Sequence, residues 1–288
     1  MHDIDWLDIR RQRAVPARLY LSVTASALRP VPLTVFSQGI GGSRNGCSDL
    51  GRFWSSQSYA SLHLQHVGID RALWSGNPFA GVGRLQAAAQ GSEVADRVQD
   101  VSFALDWVLL GEFAGRINAG RIVAAGHWFG ANTTLMTVGA RVARAGKLID
   151  LRDPRLTAAI VISTPPFCGE TDFGSILGGI AVSTLPVTAT GDTVQVPGYF
   201  SPAADRVSVC EATGGPAKLL AVFAGGSRHL FSDRPTSGGA VPNPQLEPAT
   251  QALSLAFFKN VFDGDNKGLR GWTVQFASLL ARRSIDSR

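Results

Sequence analysis

Ala125–Gly126–His127–Trp128–Phe129–Gly130–Ala131 is the stretch that decides how this chain is read. An apolar run, Arg121–Ala125, leads into it, and a helical pattern of small residues, Asn132–Ala143, leads out. A strand, a tight Gly-x-x-x-Gly turn and a helix form an arrangement in which the middle residue is pushed out of the backbone. The flanking glycines let the turn close and the helix pack against neighbouring strands. Enzymes that use this turn place a nucleophile at its centre. Here the central residue is Trp128, and an indole has no lone pair able to attack a carbonyl.

Upstream, Val15–Val23 alternates as a strand, and Val31–Ser37 is a continuous apolar run of the kind found in a buried parallel strand. A glycine-rich loop, Gln38–Ser43, follows, then a helical stretch, Asn45–Gln57, and another strand, Tyr59–Leu64. Residues 67–92 carry Trp74, Pro78, Phe79 and several glycines without periodicity, which predicts a loop over a site. Ser92 is placed to cap a helix that keeps helical spacing through Val98, Val101, Leu105, Val108 and Leu109. Downstream, strands are predicted at Ala158–Ser163, Leu185–Thr190 and Lys218–Ala224. Helices are predicted at Ser201–Glu211, Gln251–Phe262 and Trp272–Leu280, with Gly169–Gly179 irregular and Pro235–Pro248 a long loop.

Strands alternating with helices at this pitch predict a doubly wound, mostly parallel sheet with helices on both faces. The 288 residues suit one domain over 1–288, with cap loops at about 67–92 and 165–180. In such a sheet the site lies outside the C-terminal ends of the strands. Four polar loops are placed there: Gln38–Ser43, the turn at Trp128, Asp192 and His229.

Composition narrows the function classes. Hydrophobic residues make up 45% of the chain, enough for a substantial core. The net charge is +5, but its basic residues are scattered, which predicts a solvated basic surface and no nucleic-acid partner. The three cysteines, Cys47, Cys168 and Cys210, form no CxxC pair and have no histidine at ligand spacing, so no metal and no other cofactor is expected. The polar N-terminus and the lack of an 18-residue apolar span predict a soluble, cytoplasmic protein with no membrane partner.

Several segments together resemble the dienelactone-hydrolase-like and platelet-activating-factor-acetylhydrolase-like esterases of the α/β-hydrolase superfamily. Ser37–Arg44 looks like their Ser-His-Gly-Leu-Gly-Gly-Ser-Arg loop, and Leu64–Asp70 resembles their Gln-His-Pro-Gly-Ser-Asp segment. Arg97–Asp106 resembles their Arg-x-x-Asp-Val-Ser-Phe-x-Leu-Asp helix, and Gly126–Ala131 matches Gly-His-Ser-Phe-Gly-Ala except at the serine. The resemblance runs from about Asp5 to Phe262 and departs at Trp128 for Ser, Gln38 for His and Val67 for Pro. It implies an α/β-hydrolase fold, with His229 as general base and Asp192 as the acid that orients it. It also implies an oxyanion hole made by the backbone N–H groups of Ile40 and Phe129. Asp205 and Asp172 are alternative acids, and Gln38, Trp74 and Phe167 are candidate substrate contacts. Cys47 is weighed as a stand-in nucleophile near a helix N-terminus. His63, His66 and His127 are expected to be structural, and Trp54, Phe103 and Trp107 to be core.

Trp128 admits three readings. It plugs the pocket of an inactive homologue that serves as a binding or interaction protein. Or it forms a flat apolar wall for an aromatic or polyene ligand, a carbonyl- or ester-containing small molecule on which Asp192 and His229 still act as acid and base. Or the chain is a substituted form of a serine carboxylesterase. Retention of both Asp192 and His229 favours the enzyme, of lyase, cyclase or isomerase type or with slow hydrolysis by activated water.

Overall fold

The structure, a computed structural model, describes residues 1–68, 70, 91–144, 146–167, 169–196, 199–227 and 243–284. Its centre is a nine-stranded sheet. In chain order the sheet strands are β1 (His2–Asp8), β2 (Arg13–Tyr20), β3 (Val31–Ser37), β4 (Ala60–Leu64), β5 (Ile117–His127), β8 (Leu156–Ile162), β9 (Ser183–Ala189), β12 (Leu220–Phe223) and β13 (Leu280–Ser284). Across the sheet they run β1-β2-β4-β3-β5-β8-β9-β12-β13. The pairs joining β4, β3, β5, β8, β9 and β12 are parallel, and β1, β2 and β13 pair antiparallel at the margins.

Side-chain alternation along these strands builds two apolar layers, because successive residues of a strand point to opposite faces. Leu33 and Val35 of β3, Ile122 and Ala124 of β5, and Ala159 and Val161 of β8 enter one layer. The helices α2 (Gly91–Leu110) and α3 (Phe129–Thr137) cover it, through Val98, Val101, Leu105, Ala131 and Leu135. Phe36, Val123, Ala125, Ile160 and Ile162 enter the other layer. There α1 (Ser48–Ser56), α6 (Leu246–Asp263) and α7 (Lys267–Gln275) close over it, through Leu50, Trp54, Leu253, Phe257, Leu269 and Trp272. With both faces covered, the central strands read as near-continuous apolar runs, as buried parallel strands do.

The chain therefore has the expected mostly parallel sheet with helices on both faces. Several local expectations are corrected. The charged N-terminus is β1: Ile4 and Trp6 pack against the core, while Asp3 and Asp5 pair with Arg18 and Arg44 of neighbouring segments. The helix expected to reach Ala143 stops at Thr137, and Gly139 follows at φ 116, a conformation that favours glycine after a helix end. The chain then forms a hairpin of β6 (Arg141–Arg144) and β7 (Lys147–Asp150). A second hairpin joins β10 (Val194–Val196) to β11 (Tyr199–Ser201), ahead of α5 (Ala203–Ala212). Within the stretch expected to be irregular lies α4 (Phe173–Leu177), whose first turn is capped by the Asp172 carboxylate accepting from the Ser175 N–H at 3.2 Å. Residues 280–284, expected as a helix end and a tail, pair with β12. Trp107 is not a core residue: it is 50% exposed, while Phe103 is partly buried against Trp6. Trp54 is core and donates its indole N–H to the Ser254 hydroxyl at 2.8 Å. Of the two expected cap loops, 67–92 falls mostly outside the described residues.

Candidate functional site

The turn after β5 has the geometry its glycines predict. Trp128 sits at φ 55 and ψ −122, a region that bulky residues avoid, and its N–H is pinned to the Ile162 carbonyl of β8 at 2.8 Å. The glycines are sterically required. A Cβ on Gly130 would collide with the Ser37 carbonyl and lie 2.7 Å from that of Gln38. One on Gly126 would collide with the Gly130 carbonyl and lie 2.6 Å from the Thr134 hydroxyl. Trp128 is partly exposed, and its ring meets that of Phe129 edge to face at 5.0 Å and 86°.

The loop after β3 lies against this turn. A Cβ on Gly39 would be 3.3 Å from the indole Cε3 and 3.2 Å from the His127 carbonyl. The loop turns back through a Gly42 N–H to Gly39 carbonyl bond of 3.1 Å, with the Ile40 side chain buried. Phe129 is the first residue of α3, where backbone N–H groups have no partner within the helix. The Gln38 side chain is buried under the same loop, and neither polar atom of its amide has a hydrogen-bond partner among the described residues.

Behind the loop a buried network fixes its start. The Arg97 guanidinium, 2% exposed, donates to the Gln38 carbonyl. His66 lies 3.0 Å from an Asp100 carboxylate oxygen through Nδ1 and 3.2 Å from the Ser37 hydroxyl through Nε2. A carboxylate only accepts, so Nδ1 carries the proton and Nε2 accepts from Ser37. Burial, with the nearby Arg97 cation, pushes His66 down to about 4, so the imidazole is neutral at pH 7. Burial also lowers Arg97 to about 10, which leaves it charged. For Asp100 burial acts to raise the pKa, but the His66 hydrogen bond and the Arg13 guanidinium outweigh it and hold the carboxyl below its usual range. Arg11 and Arg13 reach Asp100 at 2.8 and 3.0 Å from the β1–β2 side. His66 is thus structural, as expected, and so is His63, which binds the Gly46 carbonyl and the Ser61 hydroxyl at 3.0 and 2.9 Å.

Asp192 follows β9 and is fully buried. Its Oδ2 accepts from the Thr188 hydroxyl at 2.8 Å, and its Oδ1 lies 3.5 Å from Nε of the buried Arg206 on α5. Oδ1 accepts no hydrogen bond among the described residues. The Asp192 loop is laced to the loop after β12: Gly191 N–H donates to the Gly226 carbonyl and Gly225 N–H to the Thr190 hydroxyl, both at 2.9 Å. That second loop leads toward His229. His229 and Trp74 lie outside the described residues.

The other candidates take packing or local roles. Phe167 is buried within the α2/α3 layer. Cys47 is buried at the N-cap of α1, with φ 53. Asp205 accepts from the Ser201 hydroxyl at 2.6 Å and Asp172 caps α4. Arg97, which donates to the Gln38 carbonyl, and Arg206, which faces Asp192 at 3.5 Å, were not singled out as site residues by sequence reasoning. Nor was Ser163, which ends β8 beside the turn with φ 54 and a buried hydroxyl lacking a partner among the described residues. A hydroxyl residue closing an apolar strand next to Thr164–Pro165–Pro166 was the one available signal for it.

A mostly parallel sheet whose central strand ends in a strained Gly-x-x-x-Gly turn defines an α/β-hydrolase fold. Solved structures bear this out. A ferulic acid esterase from Streptomyces cinnamoneus superposes with TM-score 0.63 at 20% identity, over 98% of this chain and 92% of that one. A dienelactone hydrolase from Anabaena variabilis superposes with TM-score 0.58 at 14% identity, over 90% and 98%. Esterase 2 from Thermogutta terrifontis, phosphorylated by paraoxon, gives 0.59 at 14% identity, over 90% and 95%. No protein-family model matches the sequence, and no curated protein matches it. Among the described residues no helix is long and apolar enough to cross a membrane, and no group of three or more His, Cys, Asp or Glu could hold a metal.

Proposed function

We propose that this α/β-hydrolase-fold protein is an acid–base enzyme without a serine nucleophile, acting on a small, apolar or aromatic carbonyl compound. His229, oriented by Asp192, moves a proton, and the N–H groups of Ile40 and Phe129 stabilise the oxyanion or enolate that forms. Elimination, cyclisation or isomerisation next to a carbonyl needs this machinery and no serine. Water activated by His229 supplies slow hydrolysis as a side reaction. The observation that carries the reading is the backbone at Trp128: φ 55 and ψ −122 keep the strained turn although its side chain cannot attack. Strain of this kind costs on the order of 1–3 kcal/mol and is retained where a site needs it. The lacing of the Asp192 loop to the loop preceding His229 supports the pairing of those two residues.

The packing of the indole against Gly39 favours a second reading, a catalytically silent binding protein whose cleft Trp128 fills.

Initial rates on short-chain aryl esters separate the two. The parent protein, His229→Ala, Trp128→Ser and Trp128→Ser with His229→Ala are compared. An intact acid–base pair and oxyanion hole predict that Trp128→Ser gains hydrolysis on the order of 10³-fold or more over the parent, and that His229→Ala removes the gain. No gain in Trp128→Ser rejects the acid–base reading and leaves the binder. Hydrolysis by the parent, abolished in His229→Ala, makes hydrolysis the main activity and overturns the non-hydrolytic assignment.

A further inference from the structure

A charged side chain taken wholly out of water is tolerated only beside a countercharge and with its hydrogen bonds supplied. Asp192, in the loop after β9, and Arg206, in the first turn of α5, are such a pair, at 0% and 2% exposure. Arg206 Nε lies 3.5 Å from Asp192 Oδ1, and the described residues hold no other ion pair to either side chain. The two carboxylate oxygens are used differently. Oδ2 accepts from the Thr188 hydroxyl at 2.8 Å, which ties the carboxylate back to β9. Oδ1 faces the cation, yet it accepts no hydrogen bond among the described residues, and Nε and Nη2 of Arg206 donate none there.

The guanidinium is anchored through its other nitrogen. Nη1 donates to the Ser201 hydroxyl and, at 3.3 Å, to the Pro202 carbonyl at the start of α5. Ser201 in turn donates to Asp205 at 2.6 Å, so that neighbouring carboxylate is engaged with the hydroxyl. Arg206 therefore meets Asp192 as a charge held in a fixed place, without donating to it. A bidentate arginine fork would cover both oxygens of a carboxylate. Here the charge is balanced while a lone pair of Oδ1 stays available to another donor. The loop after β12, which leads toward His229, is tied to Thr190 and Gly191 through Gly225 and Gly226.

We infer that Arg206 is a positioning residue of the proposed acid–base site: it supplies the countercharge of Asp192 and leaves Oδ1 to accept the imidazole N–H of His229. The inference rests on the reading that Asp192 orients His229. It adds that the carboxylate acts with part of its charge already balanced. The imidazolium is then held less tightly than a bare Asp–His pair would hold it, and His229 gives up its proton more readily.

Histidine ring resonances followed by NMR against pH test this without turnover, with His229→Gln identifying the signal of His229. Asp192→Asn should lower the His229 midpoint, because no carboxylate then favours the imidazolium. Arg206→Met should raise it by about one pH unit, because the unbalanced carboxylate holds the proton on the pair. Arg206→Lys, which keeps the charge, should stay close to the parent. Melting temperatures give a second readout, which decides the matter even where Arg206→Met folds poorly. That variant leaves a buried carboxylate unbalanced and should melt well below the parent, and adding Asp192→Asn to it should recover several degrees. An unchanged midpoint in Arg206→Met, beside a lowered one in Asp192→Asn, overturns the role of Arg206 and leaves the pairing of Asp192 with His229 standing. A double variant no more stable than Arg206→Met also overturns that role and makes the arginine a packing element only. An unchanged midpoint in Asp192→Asn overturns the pairing itself, and the positioning role with it.

Discussion

At the scale of single residues, two glycines and a tryptophan determine the centre of the molecule. Gly126 and Gly130 were legible in the sequence because the turn they frame has a steric signature, and the structure shows the carbonyls that demand them. Gly130→Ala would drive a methyl group into the backbone of Ser37 and Gln38, where no flexible side chain can move aside. A loss of about 3 kcal/mol is expected, at the upper end for overpacking, and a urea unfolding midpoint measures it. An unchanged midpoint would show that the start of the Gln38 loop shifts freely, against the network anchored by Arg97. Asp192 was legible as a Gly-Asp step after a strand. Its partners were not: Arg206 is fourteen positions on, and only the packing of α5 brings its guanidinium to the carboxylate. Ser163 was hidden for a similar reason. A serine closing an apolar run reads as the polite end of a strand, and neither its positive φ nor its missing partner leaves a trace in composition.

At the scale of elements, the long apolar segments were readable and the short margins were not. The strands β3, β4, β8 and β9, and β5 over Ile122–Gly126, are buried on both faces for most of their length, so their apolar runs mark them whatever lies next to them. The strand β13, Leu-Ala-Arg-Arg-Ser, is exposed over most of its length, and only its pairing with β12 makes it a strand. Tertiary context overrides weak local preference in such segments. The helix α7 offers a test of what local preference is worth where packing is absent. Gly271 lies in its interior, exposed, with open space where a Cβ would go. Gly271→Ala should stabilise the protein by about 0.5–1 kcal/mol, the ordinary helix preference of alanine over glycine. Gly268→Ala, in the same helix, should gain less, because its added Cβ would sit 3.3 Å from the Ala256 methyl group. Thermal melts of the two variants side by side read the difference, and equal shifts would mean that α7 does not seat against α6 as described.

At the scale of the whole molecule, strand order and the buried charge network are properties of the assembled fold. The parallel, doubly wound class followed from the alternation of elements, but the exchange of β3 and β4 in the order across the sheet carries no local signal. The same assembly collects Arg11 and Arg13 from the β1–β2 side, Ser37 from β3, His66 beyond β4, and Arg97 and Asp100 from α2. These residues, scattered over about ninety positions, lock one half of the sheet to α2, so their titration bears on global stability. In the folded chain His66 titrates at about 4, against an unfolded value of about 6.5. Between those values the unfolded chain binds a proton that the folded chain refuses, so stability falls as pH drops from about 6.5 to about 4. Above about pH 6.5 both states leave the ring neutral, and His66 contributes no slope. The Asp100 carboxyl, held below its usual range, adds a loss of the same sign only at lower pH, as the unfolded carboxyl begins to take its proton. Urea unfolding at pH 7 and at pH 4.5 should therefore show a loss on the order of 2–3 kcal/mol from this histidine alone. His66→Gln keeps an amide donor for Asp100 and an acceptor for Ser37 but does not titrate. It should be less stable than the parent at pH 7 and show a shallower slope between pH 6.5 and 4.5. A slope unchanged by the substitution would mean that His66 accepts its proton in the folded state as easily as in water, and that the hydrogen-bonded chain from Ser37 to Asp100 does not hold it neutral.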